Sequence, residues 1–284
     1  MAGLLAMGLS LPASSADVDL GSVTWTAVGA AGLIFGDSTV PESPVGNARF
    51  GYVSTTGGVF DVSPLVLKTD GKGNETSNNG STVRSSTFAA SAGDVLTLHF
   101  NYVSTDGRGY DDYSWARLID ADTNETAAWL FTARSTNSAR GNVVPGDVLK
   151  RQVDGNAPDE LDAVLNDGNS VGFNISSTTW EPLGSWSGYC WDDANTCGPT
   201  GWIESVHTVA ATRTYVLEFG VVNWGDTLFD SAMAFDFGGL DSARFDNVTL
   251  IDNGPTPAVP EPSTWALWLA GLGLMGMGIR RKVS

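Results

Sequence analysis

The sequence predicts an all-β fold, an antiparallel β-sandwich of jelly-roll type, followed by a single C-terminal transmembrane helix. Three observations carry this: period-2 alternation in two long segments, many short apolar runs punctuated by Gly, Ser and Thr, and an uncharged apolar stretch near the C-terminus. In residues 94–103, Leu96, Leu98, Phe100 and Tyr102 fall on one face and Thr97, His99 and Asn101 on the other, as in a half-buried strand. Residues 213–222 repeat the pattern, with Tyr215, Leu217, Phe219 and Val221 expected in the core and Thr214 and Glu218 expected to meet water. Further strands are predicted over residues 23–28, 50–54, 82–89, 114–120, 127–133, 201–209 and 244–251. One short helix is predicted over residues 158–166, where Leu161, Val164 and Leu165 share a face and Gly168 follows as a stop. Without long helical patterns between the strands, two packed antiparallel sheets are the expected architecture.

The chain of 284 residues divides into three parts: an export signal over residues 1–16, an ectodomain over 17–253 and an anchor over 254–284. The first carries the apolar run Leu4, Leu5, Ala6, Met7, Leu9, Leu11 and then Ser14, Ser15 and Ala16, the small residues expected before a signal-peptide cut. No Lys or Arg precedes that run, which fits a truncated start or a weak signal. The last part reads Pro260, Glu261, Pro262, then Trp265 and Trp268, an apolar stretch over residues 266–279, and Arg280, Arg281 and Lys282. Aromatic residues at one end and cations at the other are what an interfacial belt and an inward-facing basic stop require.

That tail resembles the PEP-CTERM sorting signal of exported Gram-negative bacterial proteins. The resemblance implies that Pro260, Glu261 and Pro262 are read by exosortase, a membrane-embedded transpeptidase-like enzyme, and that Arg280, Arg281 and Lys282 fix orientation. It further implies a precursor held in the inner membrane, cut near the Pro-Glu-Pro element, and passed to the cell surface or an exopolysaccharide matrix. Residues 110–118 and 215–221 are similar to stretches of exported PEP-CTERM proteins of uncharacterised activity. Residues 94–98 and the Phe-Asp-Asn-Val run at 245–248 resemble strands of carbohydrate-binding-module-like sandwiches.

A net charge of −17 speaks against nucleic-acid binding, which needs cations to displace counterions. Acidic residues gather as Asp106, Asp111, Asp112, Asp120, Asp122 and Glu125, and again as Asp226, Asp230, Asp236, Asp241 and Asp246. These are either a solvated acidic face or a source of oxygen ligands for calcium, with Asp226, Asp230 and Asp246 the preferred ligands. The EF-hand-like start at Asp120 fails, because Glu125 stands at the turn glycine and Phe131 at the bidentate position. No other cofactor is predicted.

Cys190 and Cys197, close together in an exported chain, are expected to form a disulfide, since two thiols alone cannot complete a zinc shell. Trp180, Trp186, Tyr189, Trp191 and Trp202 flank them, either as core or as a platform on which sugar rings stack. Catalytic signatures fail in context. The G-x-S-x-G spacing at Gly168–Asn169–Ser170–Val171–Gly172 lacks the strand and helix a nucleophile elbow needs, and the glycine fingerprint from Gly271 to Gly276 lies in the apolar tail. His99 and His207 both read as strand residues, and 32 acidic residues make any carboxylate pair uninformative. The leading expectation is a non-enzymatic, exopolysaccharide-associated surface or matrix protein, with a carbohydrate-binding module and a secreted glycan hydrolase as alternatives.

Overall fold

Alternating faces along the chain become strands in a computed structural model that describes residues 15–64, 77–107, 110, 112–138, 141–143, 161–166, 177–191, 196–246 and 249–250. The first strands are β1 (Trp25–Val28), β2 (Ala30–Ile34), β3 (Phe50–Ser54), β4 (Ser77–Ser85), β5 (Phe88–Ala90) and β6 (Val95–Ser104). The middle of the chain supplies β7 (Tyr113–Asp120), β8 (Thr126–Ser138), β9 (Gly141–Val143) and β10 (Val164–Asn166). The last third adds β11 (Gly198–Pro199), β12 (Ile203–Thr208), β13 (Arg213–Trp224), β14 (Ser231–Phe237), β15 (Phe245–Asp246) and β16 (Thr249–Leu250).

Two sheets result. One runs β15-β1-β4-β13-β7-β8-β9 with β5 added on β13, and the other runs β10-β12-β6-β14-β3-β2-β16 with β11 added on β6. Central pairings are antiparallel as predicted, but β1 with β15 and β2 with β16 are short parallel pairs. The cause lies in a change of sheet near both ends of the domain. Gly29, at a φ of 81°, links β1 in one sheet to β2 in the other, and β15 and β16 pair with those same two strands.

The two sheets face each other across aromatic rings. Phe100 of β6 stacks on Phe131 of β8 with ring centres 4.6 Å apart and meets Phe219 of β13 edge-on at 5.8 Å. Phe219 in turn stacks on Phe235 of β14 at 4.4 Å and on Trp25 of β1 at 5.5 Å. Leu96, Leu98, Tyr102, Tyr215, Leu217 and Val221 all enter this same core, on the face their alternation predicts. Burying one such aromatic ring contributes roughly 1.5–3 kcal/mol, so this interlocked row holds the sheets together.

The structure corrects several expectations. Residues 164–166 form β10, paired with β12, instead of ending a helix; three residues sharing a helical face serve equally well as an edge strand when a neighbour offers backbone partners. Residues 158–160 lie outside the described part. Glu218, expected in water, is 1% exposed: it sits mid-strand where Arg84, Arg117 and Trp115 close over it. The central strand β14 has no sequence forecast, because both of its faces are covered and Ser-Ala-Met-Ala-Phe-Asp-Phe shows no clean polar alternation. Among the described residues no helix is long and apolar enough to cross a membrane, and the tail expected to do so lies outside them, as do residues 1–14 of the export signal.

Candidate functional site

Loops at one end of the two sheets bring the disulfide, the exposed aromatic residues and four aspartates together. The scaffold is β6, whose last residues Val103 and Ser104 pair with Pro199 and Gly198 of β11, so that Cys197 stands beside Thr105 with Sγ 3.3 Å from its carbonyl oxygen. The Trp191 N–H donates to that same carbonyl at 2.9 Å. Cys190 and Cys197 are bridged, with Cα atoms 5.7 Å apart, as expected.

Upstream of the bridge, a 3-10 segment (Glu181–Trp186) carries Pro182 in its first turn, where the ring presets φ, and breaks at Gly184, where φ is 54°. The Ser187 hydroxyl accepts from the Trp180 N–H at 3.0 Å, and the Thr178 hydroxyl donates to the Tyr189 carbonyl at 2.8 Å. These bonds divide the predicted aromatic set. Trp180 is fully buried, 6.3 Å from Tyr52, while Trp202 lies edge-on to Phe50 at 5.0 Å and donates its indole N–H to the Pro41 carbonyl. Both belong to a second apolar cluster on the outer side of β14 and β3.

Trp186, Tyr189 and Trp191 instead gather around Phe229 of the β13–β14 loop. Phe229 is 4.2 Å from Trp186 and 5.0 Å from Trp191, and Trp186 meets Tyr189 edge-on at 6.0 Å. Tyr189 is 58% and Trp191 53% exposed, and the Trp191 indole N–H donates to the Tyr110 hydroxyl at 3.1 Å. Flat rings held by packing and one directional hydrogen bond form a rigid apolar surface with a polar edge. Phe229 and Tyr110 are absent from the sequence forecast. The available signal was the Leu228–Phe229 pair in an otherwise polar turn, held by the Asp226 carboxylate accepting the Leu228 N–H at 2.8 Å.

Next to Phe229 in the chain, Asp230 is buried and accepts from the Thr55 and Thr56 hydroxyls at 2.7 and 2.6 Å. Burial raises its carboxyl, partly offset by those hydroxyls and by Asn223. Asp112 is fully buried, accepting from the Trp224 N–H at 2.8 Å and the Ser231 hydroxyl at 2.7 Å. Burial pushes it well above the carboxylate range, these two donors oppose, and Asp226 and Asp230 push further. Asp106 is 2% exposed, and its carboxyl is pushed up to about 10 by burial and by the charges of Asp112, Asp226 and Asp230.

Of the predicted calcium ligands, Asp226 and Asp230 therefore share this end of the sheets, whereas β15 sets the backbone of Asp246 opposite Thr26. Thr26 pairs with Arg84 and Arg84 with Glu218, six strand residues or about 20 Å before the end of β13. Among the described residues no three acidic, His or Cys side chains close on one point as a preformed metal cage. His99 and His207 do not meet either: His207 pairs with Leu96, three residues from His99, which puts the rings on opposite faces. His99 sits 3.5 Å from Glu204, and His207 Nδ1 lies 3.0 Å from the Asp162 carbonyl oxygen. The glycine-serine segment at 168–172 lies outside the described residues.

No curated protein and no solved structure matches this chain. One family signature does: the PEP-CTERM protein-sorting motif matches residues 258–282, which contain Pro260, Glu261, Pro262 and the Arg280, Arg281 and Lys282 cluster. The C-terminal segment therefore carries a PEP-CTERM protein-sorting motif, which supports an exported protein processed by exosortase.

Proposed function

We propose that this is a non-enzymatic surface or matrix protein that associates with exopolysaccharide through the Trp186, Tyr189, Trp191 and Phe229 patch. In this reading residues 1–16 direct export, residues 17–253 are the delivered ectodomain, and residues 254–284 hold the precursor in the inner membrane. The carrying observation is the patch itself: exposed rings fixed against one another beside a disulfide, where rings left exposed need a partner to explain them. Flat apolar faces match the faces of pyranose rings, and the Tyr110 hydroxyl at the rim can hydrogen-bond sugar hydroxyls.

Strand order supports a jelly-roll body. Taking β3, β4, β6, β7, β8, β12, β13 and β14 as eight successive strands, β3-β14-β6-β12 builds one sheet and β4-β13-β7-β8 the other. Two interleaved Greek keys give that order.

Titrating the protein with exopolysaccharide purified from the producing cells, while following tryptophan fluorescence, tests the reading. Binding should perturb the emission, and Trp191→Ala should weaken it at least tenfold while leaving the melt of the body intact. An unchanged spectrum, or equal binding by Trp191→Ala, contradicts it.

A further inference from the structure

We infer that a cleft at the other end of the sheets from the aromatic patch binds a short, uncharged sugar, held between His207 Nε2 and the Arg213 guanidinium. The cleft has a volume of about 430 Å³, the size of a small-ligand site. One sheet supplies Leu118, Asp120, Arg213 and Tyr215 from β7 and β13, and the other supplies His207 from β12. Thr208, next to His207, pairs with Val95 at the start of β6, whereas the disulfide loop pairs at Ser104, its end. Nine strand steps, about 30 Å, therefore separate the cleft from the patch.

His207 carries the argument. It pairs with the core residue Leu96, so its ring faces inward between the sheets, and it is only 7% exposed. Its Nδ1 lies 3.0 Å from the Asp162 carbonyl oxygen. A carbonyl can only accept, so Nδ1 holds the proton and Nε2 of the neutral ring is a bare acceptor. Among the described residues Nε2 has no hydrogen-bond partner, and the ring lines the cleft. Across from it, Arg213 gives one terminal nitrogen to Asp120 and, with a side chain 51% exposed, leaves its other N–H groups open. The rim is already built: the Tyr215 hydroxyl donates to the Ala211 carbonyl at 2.6 Å, the Thr212 hydroxyl accepts the Ala92 N–H at 2.9 Å, and Asp120 accepts the Asp122 N–H at 2.9 Å. Such preorganisation spares a ligand the cost of ordering its site.

The donor set selects the ligand. An anion would face the Asp120 and Glu125 carboxylates and the Nε2 lone pair, and a cation would face the Arg213 guanidinium. A hydrocarbon would bury Nε2 and the guanidinium without partners. A sugar hydroxyl donates and accepts at once, so neighbouring hydroxyls answer Nε2 and Arg213 together, while the C–H face of the ring rests on Leu118 and Ala210. This site uses none of the patch residues, and a body that holds sugar at both ends can join two chains of a matrix.

Saturation-transfer NMR on the purified full-length chain tests it, with glucose, galactose, N-acetylglucosamine, cellobiose and maltose as neutral probes and glucuronate as the charged one. At least one neutral sugar should bind, and glucuronate should bind more weakly than that sugar. The chain has only two histidines, so imidazole nitrogen spectra resolve both rings. The His207 ring should show a protonated Nδ1 and a bare Nε2, and the bound sugar should shift that Nε2 signal and leave the His99 ring unmoved. Arg213→Ala, at a half-exposed position, should fold and weaken binding about tenfold. Trp191→Ala should give the native Nε2 shift, which separates this result from the polysaccharide titration. Binding of none of the neutral sugars, an unmoved Nε2 signal, tighter binding of glucuronate, or native affinity in Arg213→Ala overturns the proposal.

Discussion

Replacing Glu218 with Ala should be the most damaging single change on the outer side of the β13 sheet. The carboxylate is 1% exposed and receives the Trp115 indole N–H at 2.9 Å, the Arg117 guanidinium at 2.6 Å and the Arg84 guanidinium. Burial alone would raise its pKa, but the Arg117 hydrogen bond and charge, the indole and Arg84 together hold it below the usual range. Arg84 is 48% exposed, so solvent screens most of its share. The loss is then dominated by Arg117, 13% exposed, and by an indole donor left without an acceptor. Removing one partner of such a buried pair costs about 3–5 kcal/mol, equivalent to a Tm drop of about 10 °C in a body of this size. Glu218→Gln keeps an acceptor for the indole and should cost less than Glu218→Ala. Urea unfolding of the two variants measures the difference. A loss below about 1 kcal/mol for Glu218→Ala would refute the buried-network reasoning.

Three further outcomes are expected. Opening the Cys190–Cys197 bridge by Cys190→Ser with Cys197→Ser releases a ring of a few residues, costs roughly 2–3 kcal/mol by loop entropy, and should abolish polysaccharide-induced fluorescence changes, measured by chemical unfolding and titration. Gly220→Ala should cost about 1–3 kcal/mol in the same unfolding assay, since its Cβ would overlap the Trp115 ring that the Glu218 network holds in place. The body should lose stability as pH rises: Asp106, Asp112 and Asp230 have raised folded-state pKa values, so their contribution is complete below the ordinary carboxylate pKa and drains away towards about pH 10 for Asp106. Melts recorded from mildly acidic to alkaline pH should fall; a rising series would reverse the sign and contradict the burial argument.

Where one face of a strand is apolar and the other polar, the sequence was readable. Leu96 to Tyr102 and Tyr215 to Val221 went to the core as their alternation requires, and residues 50–54 were delimited as β3. Legibility failed where burial is two-sided or set by distant partners. β14 is buried along its whole length, so Ala232, Ala234 and Asp236 carry no period-2 signal. Glu218 looked solvent-facing because Arg84 and Arg117 come from other strands. The candidate site was half legible for the same reason. The disulfide and Trp186, Tyr189 and Trp191 are close in sequence, whereas Phe229, Tyr110, Asp106 and Asp112 arrive from other loops and only the fold joins them.

The central claim is that the PEP-CTERM motif at residues 258–282 marks the chain for exosortase processing. Intact mass of the exported protein from cells with and without exosortase tests this most directly. The account predicts a mature species ending near Pro260, Glu261 and Pro262 in the first case and a retained, longer precursor in the second. Identical full-length masses in both would contradict it.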